Sequence, residues 1–195
     1  MNGSIQQHRA FGGTPRCLSK HLAHTLLQES VPRRWAHVQG VAARARSLAP
    51  VLEADADLLE AAAWLHDIGY APRLAVTGLH ALDGACYLRD TQHADATPCR
   101  LVAHHSSAVI EAEECRLADV LSLEFDPAPN VLCAVLTYRD MTTSPHGEPV
   151  PVDRRLAEIH HRHGPGHPVS RSIQRATPMI VRAVEQVQER ATRSA

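Results

Sequence analysis

Several stretches that read as apolar helical segments carry a histidine or an aspartate within them or at their edge. RWAHVQGVA holds His37, WLHDIG holds His66 and Asp67, GLHALDGA holds His80, LVAHHSSA holds His104 and His105, and TYRDMTT holds Asp140. Imidazole and carboxylate are costly to bury unpaired, so groups converging on one helical core need a common partner, and a cation supplies it. The adjacent His66-Asp67 pair is the most informative element. Neighbours on a helix point about 100° apart, but Gly69 follows closely enough to end the helix, so both side chains can turn toward one site beside its terminus. An aspartate placed there can offer one oxygen to each of two ions.

The rest of the chain supports a helical reading. The hydrophobic share is 44% with only 4% aromatics, so Leu, Ala and Val do most of the packing. Helical spacing runs from Leu18 to Glu29, and Val31-Pro32 breaks it and opens a second helix from Pro32 to Ala49, ended by Pro50. Asp55 or Asp57 caps a third helix, with Leu58, Leu59, Ala62, Ala63 and Leu65 on its apolar face and its end at Gly69. Further helices are expected over 78–90, 97–107 and 112–121. Residues 131–141 are apolar enough for a buried helix or, by their Val content, a strand; the context favours a helix. The stretch 142–151, with three prolines and a glycine, reads as a loop. Helices over 153–163 and 169–189 complete an all-α chain, read as a flexible segment at 1–16 followed by one domain at 17–195.

Composition narrows the function classes. A formal net charge of -1 provides no general attraction to a nucleic-acid polymer or an anionic membrane. The five cysteines are widely spaced and form no C-x-x-C pair, which fits reduced thiols and a cytoplasmic address. Residues 1–16 carry no apolar signal core, and no apolar run is long enough for a bilayer, so neither secretion nor membrane insertion is expected. Fourteen histidines are the compositional outlier and point to metal.

The order His, His-Asp, His, His, Asp in this helical setting, with the HDIG tetrad, resembles the HD superfamily over residues 32–141. That resemblance implies an HD-type helical bundle with additional C-terminal helices. His37, His66, Asp67 and Asp140 match the core metal ligands, while His80 and one or both of His104 and His105 match the extra ligands of dinuclear members. HALDGA and AHHSSA are similar to segments of bacterial dinuclear HD hydrolases that cleave diadenosine tetraphosphate. The chain departs from the cyclic-dinucleotide phosphodiesterases of the superfamily: no GYP segment follows His104-His105, and Arg33, not an acid, precedes His37 by one turn.

The resemblance implies two divalent ions sharing Asp67, with His66 and Asp67 at the catalytic centre. Mixed nitrogen and oxygen ligation does not choose among first-row metals; iron or manganese is expected, with zinc, cobalt, nickel or magnesium as alternatives. A water between two such ions becomes hydroxide near neutral pH, and phosphoryl charge is stabilised at the same time. The expected activity is hydrolysis of a phosphate ester or anhydride in a small, phosphorylated, nucleotide-like substrate. Arg44 and Arg139 are the candidate phosphate contacts. Two alternatives share this ligand order: a mixed-valent diiron oxygenase of HD type, and a non-catalytic metal- or nucleotide-binding sensor. His160, His161, His163 and His167 read as solvated surface. The C-terminal helix offers a packing face, with a homodimer contact as the alternative.

Overall fold

The computed structural model describes residues 16–48 and 55–193. The expected flexible segment at 1–16 lies outside them except for Arg16, as does the expected helix end at Ala49-Pro50. The described residues contain helices and one isolated bridge, Thr143 to Pro149, but no strand. None of their helices is long and apolar enough to cross a membrane.

Helix α1 (Arg16–Leu27) leads through a short turn into α2 (Pro32–Arg46). Pro32 occupies the first helical turn, where its missing N–H costs no intrahelical bond. Helix α3 (Ala56–Leu65) is small and apolar, so it sits buried between α1 and α2, and Trp35 of α2 stacks on Trp64 of α3 with ring centroids 5.7 Å apart. Asp55 stands at its N-cap without a side-chain cap hydrogen bond. A 3₁₀ turn at Ile68–Tyr70 follows, then α4 (His80–Asp90) and α5 (Ala96–His104) pack together as a pair. Next come a 3₁₀ segment at His105–Ser107, α6 (Ala108–Glu114), α7 (Ala118–Glu124) and α8 (Asn130–Met141). The last two helices, α9 (Val152–His163) and α10 (Pro168–Arg193), pack on each other, and α10 lies across α6 and α8.

Three expectations change. The third helix stops at Leu65 rather than Gly69, because His66 turns its Nδ1–H onto the Ala63 carbonyl (2.8 Å) and Asp67 leaves helical geometry (φ −103°, ψ 7°). The expected helix over 97–107 breaks after His104: His105 has ψ 151°, and Ser106 and Ser107 take the left-handed region at φ 49° and 62°. The expected helix over 112–121 is two helices, split where Arg116 adopts φ 59° and the Leu117 N–H closes onto the Ala112 carbonyl at 2.7 Å. The run at 131–141 is helical, with Leu132, Val135, Leu136 and Met141 buried.

The main core joins α1 to α5 with α8, and a second cluster of Ile110, Met141, Leu156, Ile159, Ala176 and Ile180 fixes α9 and α10 onto α6 and α8. Truncating a fully buried leucine such as Leu65 or Leu136 to alanine would cost roughly 2–5 kcal/mol. Gly69 permits the closest backbone approach near the site. A Cβ there would lie 1.9 Å from the His80 carbonyl oxygen, so a glycine is what lets the start of α4 rest against the His66-Asp67 turn.

Candidate metal centre

Each of three histidines in the centre has one ring nitrogen tied to a backbone carbonyl. His37 Nδ1 bonds Ser144 O (3.0 Å), His66 Nδ1 bonds Ala63 O (2.8 Å), and His105 Nδ1 bonds Val102 O (2.7 Å). A carbonyl can only accept, so Nδ1 carries the hydrogen, and a neutral ring then presents its Nε2 lone pair to the interior. Fixing a ring through its outer nitrogen is the usual way of orienting a metal-binding imidazole.

The inner nitrogens meet two carboxylates. Asp67 Oδ2 lies 3.6 Å from His66 Nε2 and 3.9 Å from His37 Nε2, while Asp67 Oδ1 lies 3.6 Å from His80 Nε2 and 3.9 Å from His105 Nε2. One aspartate thus faces two pairs of histidines with its two oxygens. Asp140 Oδ1 joins the first pair, 2.9 Å from His37 Nε2 and 4.0 Å from His66 Nε2. His80 Nε2 and His105 Nε2 are 3.2 Å apart.

The donor set fits divalent metal ions. His37, His66 and Asp67 bring donor atoms within 4.8 Å of one another, and so do Asp67, His80 and His105. His66 Nε2 is buried without a hydrogen-bond partner, a costly arrangement unless a cation takes the lone pair. His37, His66, Asp67 and Asp140 would hold one ion, and Asp67, His80 and His105 the other.

Electrostatics match the geometry. Burial alone would raise both carboxyls, but Arg34, His66 and His37 around Asp67, and His37 and His66 around Asp140, hold them well below the ordinary range. Burial depresses His80 to about 3, against the pull of Asp67, and lowers His105. These two imidazoles are therefore held neutral, the form in which a ring binds metal.

Several members of the site escape the sequence pattern. Arg34 donates to Asp67 Oδ2 at 2.7 Å, and its guanidinium lies 3.9 Å from the centroid of the Tyr70 ring. Tyr70 in turn stacks on His80 at 4.1 Å. Ser106 donates its hydroxyl to Asp140 Oδ2 and its N–H to Thr137 Oγ1 (3.1 Å), so the strained turn after α5 aims the aspartate of α8. A signal for Arg34 was present: it precedes His37 by three residues and shares its face of α2.

Other expected site residues lie elsewhere. His104 diverges from His105: its Nε2 faces the Phe125 carbonyl at 3.2 Å, and it lines a separate, largely apolar cavity of about 450 Å³. Arg44 donates to the Thr142 carbonyl and to Thr143 Oγ1 (2.8 Å), tying α2 to the chain after α8. Arg139 is buried, with its guanidinium 4.7 Å from the centroid of the Tyr138 ring and 3.4 Å from Ser47 Oγ. Neither arginine lines the cavity over the donor groups; Arg34, Arg155 and Arg162 do. One of the late histidines, His163, also reaches that cavity.

A helical bundle that gathers four imidazoles and two carboxylates into adjoining donor sets defines a class of metal-binding helical proteins. The HD domain family profile matches residues 34–133, just over half of the chain, and the chain belongs to that family. No match was found among curated proteins or among solved structures. The matched segment ends before Asp140 and before α9 and α10.

Proposed function

We propose that this chain is a metal-dependent phosphohydrolase acting on a phosphate ester or anhydride of a small nucleotide-like substrate. The observation that carries the reading is the division of Asp67 between two histidine pairs, Oδ2 toward His37 and His66 and Oδ1 toward His80 and His105. When bound, two divalent ions at such a site supply an acidified water and Lewis-acid polarisation of a phosphoryl oxygen. Iron or manganese is the preferred pair, although nitrogen and oxygen donors are equally compatible with zinc, cobalt, nickel and magnesium.

The chain's own residues have separate tasks in this reading. His37, His66 and His105 keep their rings fixed through backbone carbonyls, so the donor atoms need no reorganisation. Ser106 fixes one oxygen of Asp140 and leaves the other toward His37. Arg34 sits beside Asp67 and offers positive charge where a phosphoryl group would gain negative charge.

Metal analysis of anaerobically purified protein, combined with phosphate release from a nucleotide panel under air and under nitrogen, tests the proposal. Two metal ions per chain with equal phosphate release in both atmospheres is the expected result. Two irons with no phosphate release, and oxygen uptake on an organic substrate, would replace the hydrolase with an oxygenase. Nucleotide binding without turnover would leave a sensor.

A further inference from the structure

The cavity over the donor sets has a volume of about 60 Å³. Liquid water occupies roughly 30 Å³ per molecule, so the space, open on one side, admits a group of a few heavy atoms beside the donor sets. Three guanidiniums line it: Arg34 from α2, and Arg155 and Arg162 from α9, a helix outside the segment that matches the family. Arg155 and Arg162 are seven residues apart, two turns along α9 and on one face of it.

Their local partners do not use up this charge. Arg155 has only 3% of its side chain exposed, donates from one terminal nitrogen to Glu158 Oε2 at 2.5 Å, and leaves its Nε buried without a partner. Arg162 shares the same glutamate, with its terminal nitrogen 3.6 Å from Glu158 Oε1. Arg34 pairs with Asp67. Burial first, then the neighbouring charge of Arg34, lowers Arg162, whereas, against its own burial, Asp67 and Asp140 raise Arg34. A buried N–H of a guanidinium left unpaired is costly, and a phosphate oxygen is its natural acceptor.

The remaining walls suit the same guest. Glu111 lines the cavity, and burial pushes its carboxyl up to about 7, so near neutral pH it can meet an anion as an O–H donor. Arg155, Ile159 and Met141 are buried, whereas Arg162 is exposed and His163 half-buried, so the mouth lies at the C-terminal end of α9.

We infer that Arg34, Arg155 and Arg162 form a subsite for a terminal phosphoryl group, whose remaining substrate leaves through the mouth beside Arg162 and His163. Resting on the phosphohydrolase reading, this makes the substrate a phosphomonoester or the open end of a phosphoanhydride. A diester, or a polyphosphate capped at both ends, would need a second exit for its other substituent. The subsite thus separates this chain from the diadenosine tetraphosphate hydrolases its sequence resembles.

Calorimetric titration of the full chain after chelator treatment tests the subsite apart from activity, with inorganic phosphate, methyl phosphate and dimethyl phosphate as probes. Phosphate and methyl phosphate are expected to bind, and dimethyl phosphate at least about tenfold more weakly. Arg162→Gln, at an exposed position that should fold normally, is expected to weaken phosphate at least about tenfold, the lower range for a charge-assisted hydrogen bond. Arg155→Lys keeps the charge but loses the planar fork, and should also weaken phosphate. Unchanged phosphate affinity in both variants, no phosphate binding by the wild type, or equal binding of dimethyl phosphate would overturn the subsite. Phosphate binding that depends on Arg162, without nucleotide hydrolysis by the metal-loaded protein, would keep the subsite and remove the hydrolase reading. Nucleotide hydrolysis with phosphate affinity unchanged in both variants would do the reverse.

Discussion

The chain contains two sets of four histidines, and their contrast shows what makes a site. His37, His66, His80 and His105 come from four separate segments, yet their inner nitrogens converge on Asp67. His160, His161, His163 and His167 are neighbours at the end of α9 and in the turn after it. His161 and His167 are exposed, and only His163 and His167 bring their rings together, at 4.7 Å. Among the described residues, no group of three metal-donor side chains forms there. Closeness along a helix disperses side chains around it, whereas packed helices can aim distant residues at one point.

Replacing Asp67 is the most severe way to test this contrast. Asp67→Ala removes the oxygen donors shared by both pairs, so metal content and hydrolysis should fall together. The activity loss should exceed the roughly 10–100-fold typical of disturbing an outer-shell partner. Far-ultraviolet circular dichroism should keep its helical signal; full metal content in the variant would break the comparison. Stability gives the next largest effect. Gly69→Ala drives a Cβ into the His80 carbonyl and should cost about 3 kcal/mol or more, while Gly166→Ala beside the late histidines, with no atom within 4 Å of the new Cβ, should stay within about 0.5 kcal/mol. Thermal melts of the two variants check that asymmetry.

A smaller effect comes from Glu111, whose carboxyl burial raises from 4.5 to about 7. The folded state holds this proton more tightly than the unfolded chain, so the wild type loses stability as pH rises between those values. Above about 7 the loss is complete. Glu111→Gln cannot ionise and should gain on the wild type over that window. By pH 8 the gain should be about 1–2 kcal/mol in chelator-treated protein, less than the whole shift implies because the side chain is part-exposed. Melting at pH 5 and pH 8 measures it, and a difference between the two proteins that does not change with pH would refute the assignment. His161→Ala is the smallest change: metal content should be unaltered, with stability within about 0.5 kcal/mol.

The sequence made the helical character and most of the donor set legible for one reason. Polar residues embedded in apolar helical segments are visible in a string of letters. His37, His66, Asp67, His80, His105 and Asp140 all carry that mark, and the structure brings them together. The same rule could not separate His104 from His105, because a break in the backbone, rather than helical phase, sends them apart. It also favoured Arg44 and Arg139 by their distance along the chain from His37 and Asp140. Those side chains instead reach Thr143 and Ser47, away from the cavity. Arg155 and Arg162 were illegible because nothing local states that α9 returns over the centre. Their common face predicts a pair, but only the packing of α9 against α8 and α10 supplies its target.

The bond between Arg34 and Asp67 bears on how such a protein can be made. A bare carboxylate with 3% of its side chain exposed is among the hardest groups to enclose, and leaving it uncompensated would penalise the folded state by several kcal/mol. Arg34 lends it a positive charge encoded in the same polypeptide. Closing the interior around Asp67 therefore does not rest on bound ions alone: part of its compensation is written into α2.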